Sequence, residues 1–192
     1  MTLLGRLLKN RKADPALAAW HLPNLQGPES PTLTLTSRQF GDGETMPLEQ
    51  CAKHIGGKDL SPHLDWTGLP TGTAQLLLVV EDIDVPMSKP AVHCVALIDP
   101  TAGPLEPGAL AARQPAPGVR PLRATIGRGY HGPGPIKGHG PHRYVFQVFA
   151  LGAALPDAPA GTPLDRARPR ALLAAVTAPV LGRARLTGVY ER

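Results

Sequence analysis

The spacing of apolar and polar residues changes period several times along the chain. Thr32-Leu33-Thr34-Leu35-Thr36 alternates strictly, which predicts a half-buried strand. AQLLLVV, residues 74–80, is a nearly continuous apolar run that stops at Glu81-Asp82 and predicts a buried central strand. AVHCVALI, residues 91–98, predicts a second, and RYVFQVFAL, residues 143–151, a third, with Tyr144, Phe146, Val148 and Ala150 on one face. Helical spacing is found at the two ends. Leu3, Leu4, Leu7 and Leu8 recur beside Arg6, Lys9 and Lys12, a short basic amphipathic helix within an N-terminal extension spanning residues 1–29. Such a segment packs on its own domain, on a twin subunit, or on a membrane surface. After Pro169, the stretch ALLAAVTAPVLGRARL also has helical spacing, with Pro179 expected to kink or split the helix. Residues 100–128, rich in Pro, Gly and Ala, predict a long irregular connection.

Three strong strands without βα alternation argue against a doubly wound parallel sheet. They predict one mostly-β domain over residues 30–192 with peripheral helices, including one near the C-terminus. Composition agrees. The 192 residues suffice for a sizeable core, and 23 prolines with 21 glycines favour turns and short strands over long helices.

The formal net charge of +5 favours anionic partners, but the basic residues are scattered and only 4% of residues are aromatic. A nucleic-acid partner is therefore not expected. Two cysteines, Cys51 and Cys94, make no disulfide framework and fit a reducing compartment. No stretch reaches the ~18 apolar residues of a membrane span, and Arg6 and Lys9 interrupt the N-terminal leucines where a signal peptide needs an apolar core. The expectation is a cytoplasmic protein.

Candidate chemistry lies in three places. EDIDVP, residues 81–86, sets Asp82 and Asp84 at i, i+2, so that in extended chain both point the same way. Two such carboxylates bind a metal, share a proton, or cap a turn, and capping is the commonest use of Asp beside Pro. His93 interrupts an apolar strand, sharing a face with Ala91, Val95 and Leu97 by period-two counting. A carboxylate about ten residues upstream would fix its tautomer and favour a charged ring suited to an anion.

The third place is GYHGPGPIKGHGPHRY, residues 129–144, where five glycines, three prolines and three histidines fall in sixteen positions. The spacing His131-x7-His139-x2-His142 is not a zinc pattern, and no cofactor is expected. Pro133 and Pro135 carry no N–H, so Gly132, Gly134 and Ile136 alone could form a short anion cradle. A serine nucleophile has no support, because no G-x-S-x-G elbow is present.

The ordered set DLSPHLDWTGLPTGTAQLLLVVEDIDVP, AVHCVALI, GYHGPGPIKGHGPHRYVFQVFAL and LTGVYER resembles the phosphatidylethanolamine-binding protein family, in its bacterial Raf-kinase-inhibitor-like branch. The resemblance implies a large central antiparallel sheet, a smaller second sheet, C-terminal helices, and a small pocket at the sheet's end for phosphate, acetate and phosphorylated head groups. It places Asp82, Asp84, Pro86, His93, Gly132, Gly134, His142 and Tyr144 around that pocket. Asp82 would orient His93, Asp84 would support the turn, and the Val85–Pro86 bond would be a candidate for the cis form. The chain departs from the family at Ile83, usually Pro, at Val85, usually Ala, and at His131, usually a small residue. The leading expectation is a non-enzymatic protein binding a small anion or phosphorylated molecule. The alternatives are a regulatory protein that inhibits a kinase or protease, and a weak hydrolase using an Asp–His pair. The reading also allows a homodimer through an exposed sheet face or the extension.

Overall fold

The computed structural model describes residues 3–28 and 33–192. In chain order its regular elements are α1 (Leu3–Leu8), β1 (Thr34–Thr36), β2 (Asp65–Thr67), β3 (Gln75–Asp82), β4 (Ala91–Ile98), β5 (Val119–Pro121), β6 (His142–Leu151), α2 (Pro169–Ala174) and β7 (Val180–Tyr190). The apolar runs become the three central strands of a five-stranded sheet in the order β5-β4-β3-β6-β7, and β1 with β2 forms a separate two-stranded sheet. All strand pairs are antiparallel. Of the alternating stretch 32–36, residues 34–36 form β1 and residue 32 lies outside the described residues.

β3 is apolar on both sides because both faces of the sheet are covered. Leu76, Leu78 and Val80, with Tyr144, Phe146, Val148 and Ala150 of β6, pack against Leu35, Phe40, Met46, Leu64 and Trp66 from the small sheet and its loops. Leu77, Val79, Phe149 and Leu151 pack on the other side with Leu172 and Leu173 of α2, and with Ala19 and Leu25. Residues 18–25 of the N-terminal segment thus belong to the second core layer. α1 instead leaves Leu3 and Leu7 more than two-thirds exposed, while Gly5 sits so close to Lys137 that a Cβ there would lie 2.3 Å from its carbonyl oxygen.

Two sequence expectations are corrected. The C-terminal helix ends at Ala174, and the part of the stretch with helical spacing that follows Pro179, residues 180–186, opens β7. Val180, Gly182, Ala184, Leu186 and Gly188 turn inward at every second position, which extends the sheet beside β6. The small residues in that series weaken the period-two signal. Within the irregular connection, residues 119–121 form β5, an edge strand where Pro121 costs no central ladder bond.

Candidate functional site

The sheet is irregular at one end, and that irregularity builds the site. β3 and β4 pair in register from Leu76↔Ile98 to Val80↔Cys94, then shift so that Glu81 faces Val92. His93 is the extra residue of a β-bulge, which re-aims its side chain. Period-two counting placed it with Val95 and Leu97, but those pack in the second core layer, whereas the His93 ring meets Tyr144 edge-on at 5.2 Å on the opposite face.

Beyond β3 the chain turns. Asp84 N–H donates to Asp82 Oδ1 at 2.9 Å, so Asp82 does cap the turn. The Val85–Pro86 bond is trans, as are all described peptide bonds, which corrects the cis expectation. Asp84 faces away from the cavity. Its carboxylate accepts from Arg143 Nε (2.8 Å), Arg143 Nη2 (2.9 Å), Arg143 N–H (2.9 Å) and Lys12 Nζ (2.9 Å). Burial alone would raise its pKa, but these hydrogen bonds outweigh it and hold the group well below the usual carboxylate range.

Asp82 does not orient His93. Its Oδ2 lies 2.7 Å from His142 Nδ1, and His142 Nε2 lies 2.7 Å from His139 Nδ1. His139 Nε2 donates to the carbonyl of Arg11 at 2.9 Å. All three side chains are buried. A carbonyl only accepts, so His139 Nε2 carries a proton, and one further proton lies in the His139–His142 contact, on either ring. With Asp82 ionised, His142 Nδ1–H completes the chain, and the pair of imidazoles holds one proton more than two neutral rings would. The relay is therefore neutral overall, which is how a carboxylate is tolerated at this depth.

His93 finds a different partner: its Nδ1 lies 2.8 Å from the carbonyl oxygen of His131, whose N–H donates back to the His93 carbonyl at 3.0 Å. Burial pushes the His93 pKa below its ordinary value despite the opposing field of Asp82, so the ring is neutral near pH 7. The charged ring expected from the sequence is thereby corrected.

The loop glycines serve packing. Gly132 N–H donates to Asp59 Oδ1 at 2.8 Å and is not free for an anion. A Cβ on Gly132 would fall 2.1 Å from the Gln50 carbonyl oxygen, and one on Gly134 2.6 Å from the His54 ring, so both are glycine because the 50–54 segment lies against them. The Tyr144 hydroxyl is buried beside Asp82 and the Gly134 N–H. Burial first, then Asp82, pushes its pKa up, while the Gly134 N–H pulls the other way.

Around these groups is a cavity of about 640 Å³. Asp82, Pro86, His93, Gly132, Gly134, His142 and Tyr144 line it, so the structure gathers seven of the eight sequence candidates and leaves Asp84 behind the wall. Val85, Met87, Ile126, Pro135 and Ile136 make most of its surface apolar, and Lys53 with His54 stands at its edge. Sequence reasoning missed Asp59, Lys53 and His54, and weighed His139 only as a metal ligand. Asp59 has a positive φ of 53°, a conformation Asp tolerates better than most residues, but no local pattern announces its partner 73 positions away.

The structure is thus an antiparallel sheet covered on both faces, with a polar-floored and apolar-walled cavity at one end. The chain belongs to the phosphatidylethanolamine-binding protein family, whose model matches residues 36–191. It is 32% identical over 157 residues to a UPF0098 protein of Aquifex aeolicus, covering 81% of this chain and 86% of that one. It is also 32% identical over 164 residues to the putative lipoprotein LppC of Mycobacterium tuberculosis H37Rv, covering 85% and 75%. Among solved structures it resembles Escherichia coli YbcL, described as a new member of the mammalian PEBP family, with a TM-score of 0.73 and 27% identity over 84% of this chain and 99% of that one. No helix among the described residues is long and apolar enough to cross a membrane.

Proposed function

We propose that the chain is a non-enzymatic binding protein whose pocket receives a small oxyanion carrying an apolar substituent, such as a phosphorylated organic molecule. The carrying observation is a cavity whose walls are mainly apolar and whose floor holds the Tyr144 hydroxyl and the His93 ring. The apolar walls favour a ligand with more than an anionic head. His93 presents its second nitrogen to the same space. Family membership is consistent with a binding or regulatory protein. The hydrolase reading rested on Asp82 acting with His93, whereas Asp82 is hydrogen-bonded to His142 and the Asp84 N–H. A cytoplasmic location remains part of this proposal, although one relative is named a putative lipoprotein.

His93→Ala is expected to weaken phenyl phosphate binding by at least about tenfold, the loss for one hydrogen bond to a charged group. Isothermal titration measures it, with the thermal midpoint checking that the fold survives. An unchanged affinity would remove His93 from the site. The second reading, a regulatory interaction protein, has one observation in its favour: Met87 and Ile126 at the mouth are 52% and 71% exposed. A partner that still binds His93→Ala but is lost on Ile126→Glu would favour it.

A further inference from the structure

We propose that the pocket takes up one proton with each oxyanion it binds, and that His93 Nε2 is where this proton resides. The inference rests on the oxyanion-pocket reading above and adds the condition under which the site fills.

The geometry carries it. The His131 carbonyl can only accept, so His93 Nδ1 bears the hydrogen of the neutral ring. The remaining nitrogen, Nε2, is then a bare lone pair. It has no hydrogen-bond partner among the described residues, and the ring borders the cavity. A lone pair facing an oxyanion oxygen is repulsive, whereas the same nitrogen with a proton is a charged donor.

The groups at the floor of the cavity do not substitute for it. From β3, Asp82 has one oxygen on His142 and the other on the Asp84 N–H. From β6, His142 spends both nitrogens on Asp82 and His139, and the Tyr144 hydroxyl is neutral and lies beside Asp82. From the 129–141 loop, the Gly132 N–H is committed to Asp59, and His131 offers its carbonyl to His93. Lys53, His54 and the His131 ring complete the titratable lining. The neutral relay behind Asp82 contributes no net positive charge to attract the ligand. Burial favours the neutral His93 ring in the empty pocket, so a proton that the bound oxyanion places on Nε2 is drawn from solution.

The test uses phenyl sulfate, an oxyanion that carries no proton of its own near neutrality, beside phenyl phosphate. Calorimetric titrations of the full chain at pH 7 in buffers of different ionisation enthalpy should give one proton absorbed per phenyl sulfate bound. Affinity should fall about tenfold per pH unit between pH 7 and 8, as linkage to one proton requires. His93→Gln, which offers a non-titrating donor, should bind with heats independent of buffer, whereas uptake should survive in His54→Asn and His131→Asn. Heats independent of buffer in the wild-type protein overturn the inference and leave the pocket reading standing. So does uptake that persists in His93→Gln. If neither probe binds at any pH from 5.5 to 8.5, the pocket reading falls and the inference with it.

Discussion

Glu81→Ala lowers the thermal midpoint by roughly 10 °C, read by calorimetry or circular dichroism. Glu81 is fully buried on the face of β3 opposite the pocket. Its Oε2 accepts from Ala19 N–H at 2.7 Å and from Gln147 Nε2 at 2.8 Å, while Oε1 lies 2.6 Å from Arg170 Nη2. Arg170 also donates to the carbonyls of Leu17 and Pro90. One carboxylate therefore ties β3, β6, α2 and the N-terminal segment together. Removing it leaves a largely buried guanidinium without its counter-charge and strands a buried N–H, a class of change that costs ~3–5 kcal/mol. A chain of this size loses about 2–4 °C per kcal/mol. A shift below about 3 °C would show that the N-terminal segment is held by other contacts.

Asp82→Ala should destabilise by a similar ~3–5 kcal/mol, and Asp82→Asn by much less, about 1 kcal/mol. The donor count explains the contrast. Alanine removes the carboxylate against which the relay's extra proton is held and leaves His142 Nδ1 unpaired in a buried site. Asparagine keeps Oδ1 for the Asp84 N–H and can donate from Nδ2 to a bare His142 Nδ1, so the chain through His139 to the Arg11 carbonyl closes in neutral form. Urea unfolding of the two variants measures the difference. If Asp82→Asn is as damaging as Asp82→Ala, the charge of Asp82 matters more than its donor matching, and the relay's proton count is wrong.

Much of the fold was legible because long apolar runs have few alternatives. AQLLLVV, AVHCVALI and RYVFQVFAL became β3, β4 and β6, the central strands. β7 was not legible as a strand, because its inward positions are partly Gly and Ala, which carry little hydrophobic contrast beside an apparent helical spacing. The bulge at His93 was hidden for a different reason: a register shift belongs to a strand pair, and neither strand alone signals it.

The site shows the same division. By itself the sequence determined which chemical groups exist and that they cluster in three short stretches, EDIDVP, AVHCVALI and GYHGPGPIKGHGPHRY. It also excluded a continuous run of donors in the third, since proline lacks the N–H. Only the tertiary structure decided the pairings. His142 rather than His93 meets Asp82 across 60 positions, and His139 reaches the Arg11 carbonyl across 128. Gly132 gives its N–H to Asp59 instead of leaving it for a ligand. Hydrogen bonds are short and directional, so a one-residue bulge or the path of a distant loop reassigns them, while the burial that forms strands tolerates such shifts. That is why the strands could be read from the chain and the protonation logic of the pocket could not.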